Sequence, residues 1–178
     1  MFDEAFEAML TGGHPNSLGR TIEVVERVLS DTRRFEELFQ CYQSKDEIVR
    51  LRVSNAMKRV ERERPDLLVP YIDRFISEIG GLDQASAQWT LAQLFDRLSQ
   101  SLSAAQRQGA LAIMKRNLAE HSDWIVLNAS IETLSKWAIG NLELTVWLRP
   151  HLDRLSADPR KSVAKRATKA LLSLKTAG

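Results

Sequence analysis

A single cysteine in 178 residues, Cys41, excludes an internal disulfide and a thiolate metal cage. It stands beside Leu38, Phe39 and Tyr42, where a buried, unreactive thiol is expected. The three histidines, His14, His121 and His151, are far apart and have no partner at i+3 or i+4, so no zinc site is expected from them. No run approaches the roughly 18 continuous apolar residues that a membrane span requires. The opening stretch MFDEAFEAMLTGG is acidic and lacks the basic flank of a secretory signal, which makes the cytoplasm the expected compartment. Nucleotide-binding loops, nucleophile elbows and metalloprotease signatures are all missing. Gly12-Gly13 lacks the Lys-Ser/Thr that would make it a phosphate cradle, and Glu36-Glu37 are adjacent on a helix and face different ways. No catalytic residue, cofactor or metal is therefore expected, and no enzymatic activity.

What the chain has is helical period from end to end. Apolar residues make up 44% and charged residues 27%, an ordinary balance for one water-facing domain spanning 1–178. The pattern predicts helices over 2–10, 17–29, 32–43, 46–63, 66–79, 83–99, 103–120, 123–138, 142–156 and 160–175. Ser44 with Glu47, and Ser103 with Gln106, have capping-box spacing. Asp158-Pro159 reads as an N-cap with proline at the first helical position. No segment alternates with period two. Residues 1–16, with Phe2, Phe6, Met9 and Leu10 on one stripe, read as a capping helix and loop.

The helices repeat. Val49, Val53, Ala56 and Val60 occupy i, i+4, i+7 and i+11. Ala87, Leu91, Leu94 and Leu98 follow the same frame, as do Val126, Ser130, Thr133 and Trp137, then Val163, Ala167, Ala170 and Leu174. The starting residues Val49, Ala87, Val126 and Val163 lie 38, 39 and 37 residues apart. Leu18, Ile22, Val25 and Leu29 suggest a degenerate first unit. Pro70-Tyr71-Ile72-Asp73-Arg74 recurs as Pro150-His151-Leu152-Asp153-Arg154, which predicts two helices bent at matching prolines. Units of this length cannot bury their own apolar stripe, so they must stack.

These residues resemble HEAT repeats: an outer helix with an internal proline, then Asp-Pro, Val, Ala and Ala-Leu on the inner helix. Asp158-Pro159, Val163, Ala167 and Ala170-Leu171 are the nearest copy, and Val49-Arg50, Val53 and Ala56 the next. Gln88 and Trp89 depart from the pattern. The resemblance covers residues 17–176. It implies an all-α, right-handed α-solenoid of about five antiparallel helix pairs, and a scaffold whose concave surface holds a protein partner.

Within the repeat frame, Arg59, Arg97 and Lys136 precede the last core residue, and Arg52 and Arg166 stand seven positions earlier. Equivalent positions of stacked helices lie about 10 Å apart. Arg52, Arg59, Arg97, Lys136, Arg166 and Lys169 are thus a candidate basic ladder, diluted by Glu132, with Trp89 and Trp124 as candidate aromatic contacts. Residues 149–178 carry eight Lys or Arg against Asp153 and Asp158. A second reading is nucleic-acid binding, since the chain looks somewhat like the HEAT-like alkylpurine DNA glycosylases. Those use a basic concave face, whereas Asp83, Asp96, Asp123 and Glu132 leave the inner helices here nearly neutral.

Overall fold

A computed structural model describes residues 4–176, and within them every regular element is helical. Two compact units divide the chain, Met1–Thr90 and Leu91–Gly178.

The first unit contains α1 (Phe6–Leu10), α2 (Thr21–Ser30), α3 (Phe35–Gln40) between two 3-10 turns, and the long α4 (Glu47–Glu63). Short 3-10 turns then lead into α5 (Ile72–Arg74), which passes into a π-helical turn at Phe75–Ile79. Helix α6 (Ala85–Arg97) begins here and ends in the second unit. The second unit continues with α7 (Ala104–Glu120), α8 (Trp124–Ala138), α9 (Leu142–Ser156) and α10 (Lys161–Thr176). Phe2, assigned above to the N-terminal stripe, lies outside the described residues. Phe6, Met9 and Leu10 are buried, and the Phe6 N–H donates to Glu37 Oε1 at 2.8 Å, which ties α1 to α3.

The core follows the repeat frame. Val49, Val53, Ala56, Leu91, Leu94, Val126, Ala167 and Ala170 are all buried. A second regularity lies in the turns. Five residues before each of Val49, Val126 and Val163, a side chain accepts the N–H two residues on. Ser44 Oγ takes the Asp46 N–H (3.2 Å), His121 Nδ1 takes that of Asp123 (3.0 Å), and Asp158 Oδ1 takes that of Arg160 (2.9 Å). The acceptor differs chemically each time while its place in the frame does not. At the position after Val49 and Ala87, long polar side chains reach back to carbonyls of the preceding turn. Arg50 donates to Ser44 O, and Gln88 donates to Leu82 O. The departure of Gln88 from the repeat pattern is therefore a cap on the chain before it.

Several sequence expectations are corrected. The cap of α4 is Asp46, whose carboxylate accepts the Ile48 N–H at 2.8 Å, and Ser44 sits two residues too early to box with Glu47. The Ser103–Gln106 box on α7 is present in both directions. Helix α10 begins at Lys161, so Pro159 precedes the first turn. Helix α2 begins at Thr21, because Gly19 adopts φ +52° and breaks the helix. Leu18 and Ile22 are 39% exposed, and the buried face is Thr21, Val24, Val25 and Val28, rotated by nearly a quarter turn. The two prolines also differ. Pro150 stands inside continuous α9, while Pro70 lies in a 3-10 turn where no α-helical hydrogen bond is lost.

The largest correction concerns Arg52. It is 2% exposed, not part of any surface ladder. Its Nη1 donates to Leu10 O and Gly12 O (both 2.6 Å), Nη2 to His14 O (3.3 Å) and Nε to Ser17 O (3.2 Å). The exposed segment 11–20 is thus wrapped around one guanidinium on α4. Gly19 fits because it has no side chain: a Cβ there would stand 2.9 Å from Arg52 Cζ.

Three substitutions test this account by urea or thermal unfolding. Leu94→Ala should cost about 2–5 kcal/mol, the range for a core leucine. Arg52→Met takes the donor from the carbonyls of Leu10, Gly12, His14 and Ser17 and should cost about 3 kcal/mol, with fast amide exchange confined first to residues 12–19. Gly19→Ala should cost roughly 1–2 kcal/mol from its left-handed backbone. Unchanged exchange in 12–19 for Arg52→Met would show that the segment is held by something else.

Candidate binding surface

In the second unit α8 packs against both α9 and α10, and the Thr133 hydroxyl of α8 donates to Ala92 O of α6 at 3.0 Å. The exposed faces of α6, α8 and α10 therefore adjoin. Two grooves run between them. One, of about 220 Å³, separates α6 from α8 and is lined by Gln93, Asp96, Arg97, Ala129, Glu132 and Lys136. The other, of about 240 Å³, separates α8 from α10 and is lined by Ser135, Lys136, Arg166, Lys169, Ala170 and Ser173.

A chain of opposite charges crosses both. Lys136 Nζ meets Asp96 Oδ2 at 2.5 Å and Glu132 Oε1 at 3.7 Å, and Arg166 Nη1 meets Glu132 Oε2 at 2.7 Å. The order from α6 to α10 is acid, base, acid, base. Hydrogen bonding to Asp96, opposed by partial burial, holds the Lys136 ammonium above the ordinary lysine range. At this exposure each pair is worth little in stability. Their effect is on pattern: the surface carries alternating charge, with Lys169 having no carboxylate partner among the described residues.

Of the candidate ladder, Arg97, Lys136, Arg166 and Lys169 come together on this surface. Arg59 belongs to the first unit, where its Nε donates to Asn55 Oδ1 at 2.7 Å, and Arg52 is buried. Trp124 projects from the first turn of α8 and is 50% exposed, and Trp89 is half-buried in the first unit. Trp137, a frame residue, is buried beneath the Arg107 guanidinium, which lies 4.0 Å from the ring centroid. What charge signs alone did not show is the linkage of Asp96 to Lys136 across 40 residues.

The titratable clusters of the first unit are saturated. Glu36 accepts from Gln40 Nε2 (2.6 Å), Arg74 Nη1 (2.7 Å) and the Tyr71 hydroxyl (2.7 Å), which together lower its carboxyl to about 2. Burial, then the Glu36 carboxylate, pushes the Tyr71 phenol up to about 12. The Arg74 guanidinium also lies over the Phe39 ring at 4.4 Å. Burial and the carboxylates of Glu7 and Glu37 push the Cys41 thiol up to about 12, far from a nucleophilic thiolate. His14 Nδ1, like that of His121, accepts a turn N–H, here from Asn16. Among the described residues no three His, Cys, Asp or Glu side chains converge as a metal site would require, and no helix is long and apolar enough to cross a membrane.

A pH prediction follows from the carboxylates. Glu36, held down by Gln40 and Arg74, Glu23 by Arg20 and Arg27, and Asp158 by Arg160, all lie near 2. A depressed folded value means that each contributes above its unfolded value and loses that contribution as pH falls through the folded one. The melting temperature should be flat near neutrality and decline from about pH 4.5 towards 2. Glu36→Gln should melt lower than the parent at neutral pH and converge with it at the acid end. Parallel curves for the two proteins would show that Glu36 contributes nothing through its charge.

The chain matches no protein-family model, no curated protein and no solved structure.

Proposed function

We propose that this chain is a non-catalytic binding module of HEAT-like, right-handed α-solenoid architecture, whose inner-helix surface holds a protein partner. The observation that carries the reading is the alternating charge chain Asp96–Lys136–Glu132–Arg166, laid over two grooves between adjacent inner helices. Fixed charges of both signs discriminate among partners and steer their approach more than they add affinity. The recurring turn hydrogen bonds before Val49, Val126 and Val163, and the packing of α8 on α10, support stacked repeats. Repeat arrays of this kind present extended surfaces to proteins. A cytoplasmic location fits the reading.

Nucleic-acid binding is the alternative outcome. A phosphate track needs free cations in sequence, and here Lys136 and Arg166 are engaged by Asp96 and Glu132.

Two measurements decide between them. Affinity capture from the source cell should recover a protein that the Lys136→Glu, Arg166→Glu double variant fails to hold, with its melting curve unchanged. Titration of a labelled DNA duplex at two salt concentrations should show only weak binding near physiological salt. About five phosphate contacts would give a slope of log K against log salt of roughly −4 to −5. Such a slope, with sub-micromolar affinity abolished by Arg97→Glu, would replace the scaffold reading with the nucleic-acid one.

A further inference from the structure

The turns that lead into α4, α8 and α10 make the same hydrogen bond with three different acceptors. Ser44, His121 and Asp158 fill that place, and the turn before α6 has Leu82 there, whose carbonyl is held by Gln88 instead. The bond is shared and the acid–base chemistry is not. A serine hydroxyl takes up no proton in mild acid. Hydrogen bonds from Arg160 lower the Asp158 carboxyl to about 2, so it too remains an acceptor there. Histidine is the one residue type of the three that ordinarily changes charge between about pH 5 and 8.

His121 Nδ1 takes the Asp123 N–H at 3.0 Å, which requires a neutral ring with its proton on Nε2. Asp123 in turn caps α8, its carboxylate accepting the N–H groups of Ile125 (2.8 Å) and Val126 (3.1 Å). A second proton on the imidazole converts Nδ1 from acceptor to donor, and two N–H groups then point at each other. The turn must give up that bond.

Charged groups of both signs surround the turn. Glu120 and Asp123 flank His121 in the chain. From α9, Arg154 Nη2 donates to Leu118 O at 3.0 Å. From the turn before α10, Arg160 Nη1 donates to Ser122 O, while the same guanidinium pairs with Asp158 at 2.8 Å. An imidazolium at His121 would therefore have the Asp123 carboxylate two residues away, in competition with the amides that this carboxylate caps. His14 makes the equivalent bond to the Asn16 N–H (3.1 Å), but its segment is also held by Arg52 through four carbonyls, so that loop stays attached.

We propose that His121 is a pH-sensitive latch on the entry turn of α8: neutral, it fastens the turn at Asp123, and protonated, it releases the turn and loosens the cap of the helix. Helix α8 carries Glu132 and Lys136 of the charge chain, so mild acid acts on the candidate surface from the start of the helix that bears it. The latch is independent of what that surface binds. The helices themselves stay in place, so the change is read in local exchange and not in the melting temperature.

The test is amide hydrogen exchange of the whole chain followed by NMR between about pH 8 and 5, corrected for the intrinsic exchange rate at each pH. The amides of Asp46, Asp123 and Arg160 are the matched set, one from each turn. Protection of the Asp123 amide should fall by about fivefold across that range, the scale of one hydrogen bond, while Asp46 and Arg160 show no such step. His121→Ser copies the Ser44 turn, and should keep the protection seen at neutral pH and abolish the step. His121→Ala should show the low protection at every pH. Nitrogen shifts of the His121 ring should report a bare Nδ1 at the alkaline end, with loss of that signal tracking the Asp123 step. Circular dichroism checks that both variants fold, and should either fail to, the parent's three amides and ring shifts decide alone. A flat profile at Asp123 overturns the latch. So does a step that persists in His121→Ser, or one of equal size at Asp46 and Arg160, which would mark general loosening in acid.

Discussion

Helix α8 is buried around most of its circumference, and that fact dictates the second unit. Val126 through Ile131, Thr133, Leu134, Trp137 and Ala138 are all removed from solvent. One neighbour can cover only a stripe of a helix, so α8 needs several. It has α7 on one side, α9 and α10 on others, and Ala92 of α6 as the acceptor for Thr133. The middle helix stays helical in water only because the ones before and after it are in place. Polar side chains enter this core too, Asn128, Ser130 and Thr133 among them. The hydroxyl of Ser130 and the indole N–H of Trp137 have no partner among the described residues.

The all-helical class and most of the buried stripes were legible because they are periodic. A frame fixed by Val49, Ala87, Val126 and Val163 places the buried stripes of α4, α6, α8 and α10 without any three-dimensional information. It failed on α2, where the same spacing is present in letters but Gly19 interrupts the helix that would have made it a stripe. Helical period is evidence only where the helix is unbroken. Pro70 misled for a related reason: proline in a 3-10 turn and proline in an α-helix look alike in a matching hexapeptide.

The candidate surface was half legible. Arg97, Lys136 and Arg166 were placed by frame position and, with Lys169, line the adjoining grooves. Arg52 and Arg166 occupy equivalent positions and have opposite fates, because residue type and frame say nothing of whether a distant loop will fold over a side chain. The signal for Arg52 lay elsewhere, in the glycines at 12, 13 and 19, all with positive φ. Their freedom lets the intervening carbonyls turn inward on one cation.

The acceptors around Arg52 are all backbone carbonyls, and a carbonyl oxygen has no proton to take up in mild acid. The ion pairs that decorate the rest of the first unit, such as Arg20 with Glu23, dissolve when their carboxylates are neutralised or when salt screens them. The attachment of segment 11–20 to α4 answers to neither. As acidity rises, the surface of this unit loses its electrostatic order while its N-terminal strap remains fastened. That strap follows α1, so the apolar cover that Phe6, Met9 and Leu10 lay over α2, α3 and α4 keeps this one attachment where the bond from the Phe6 N–H to the Glu37 carboxylate is lost.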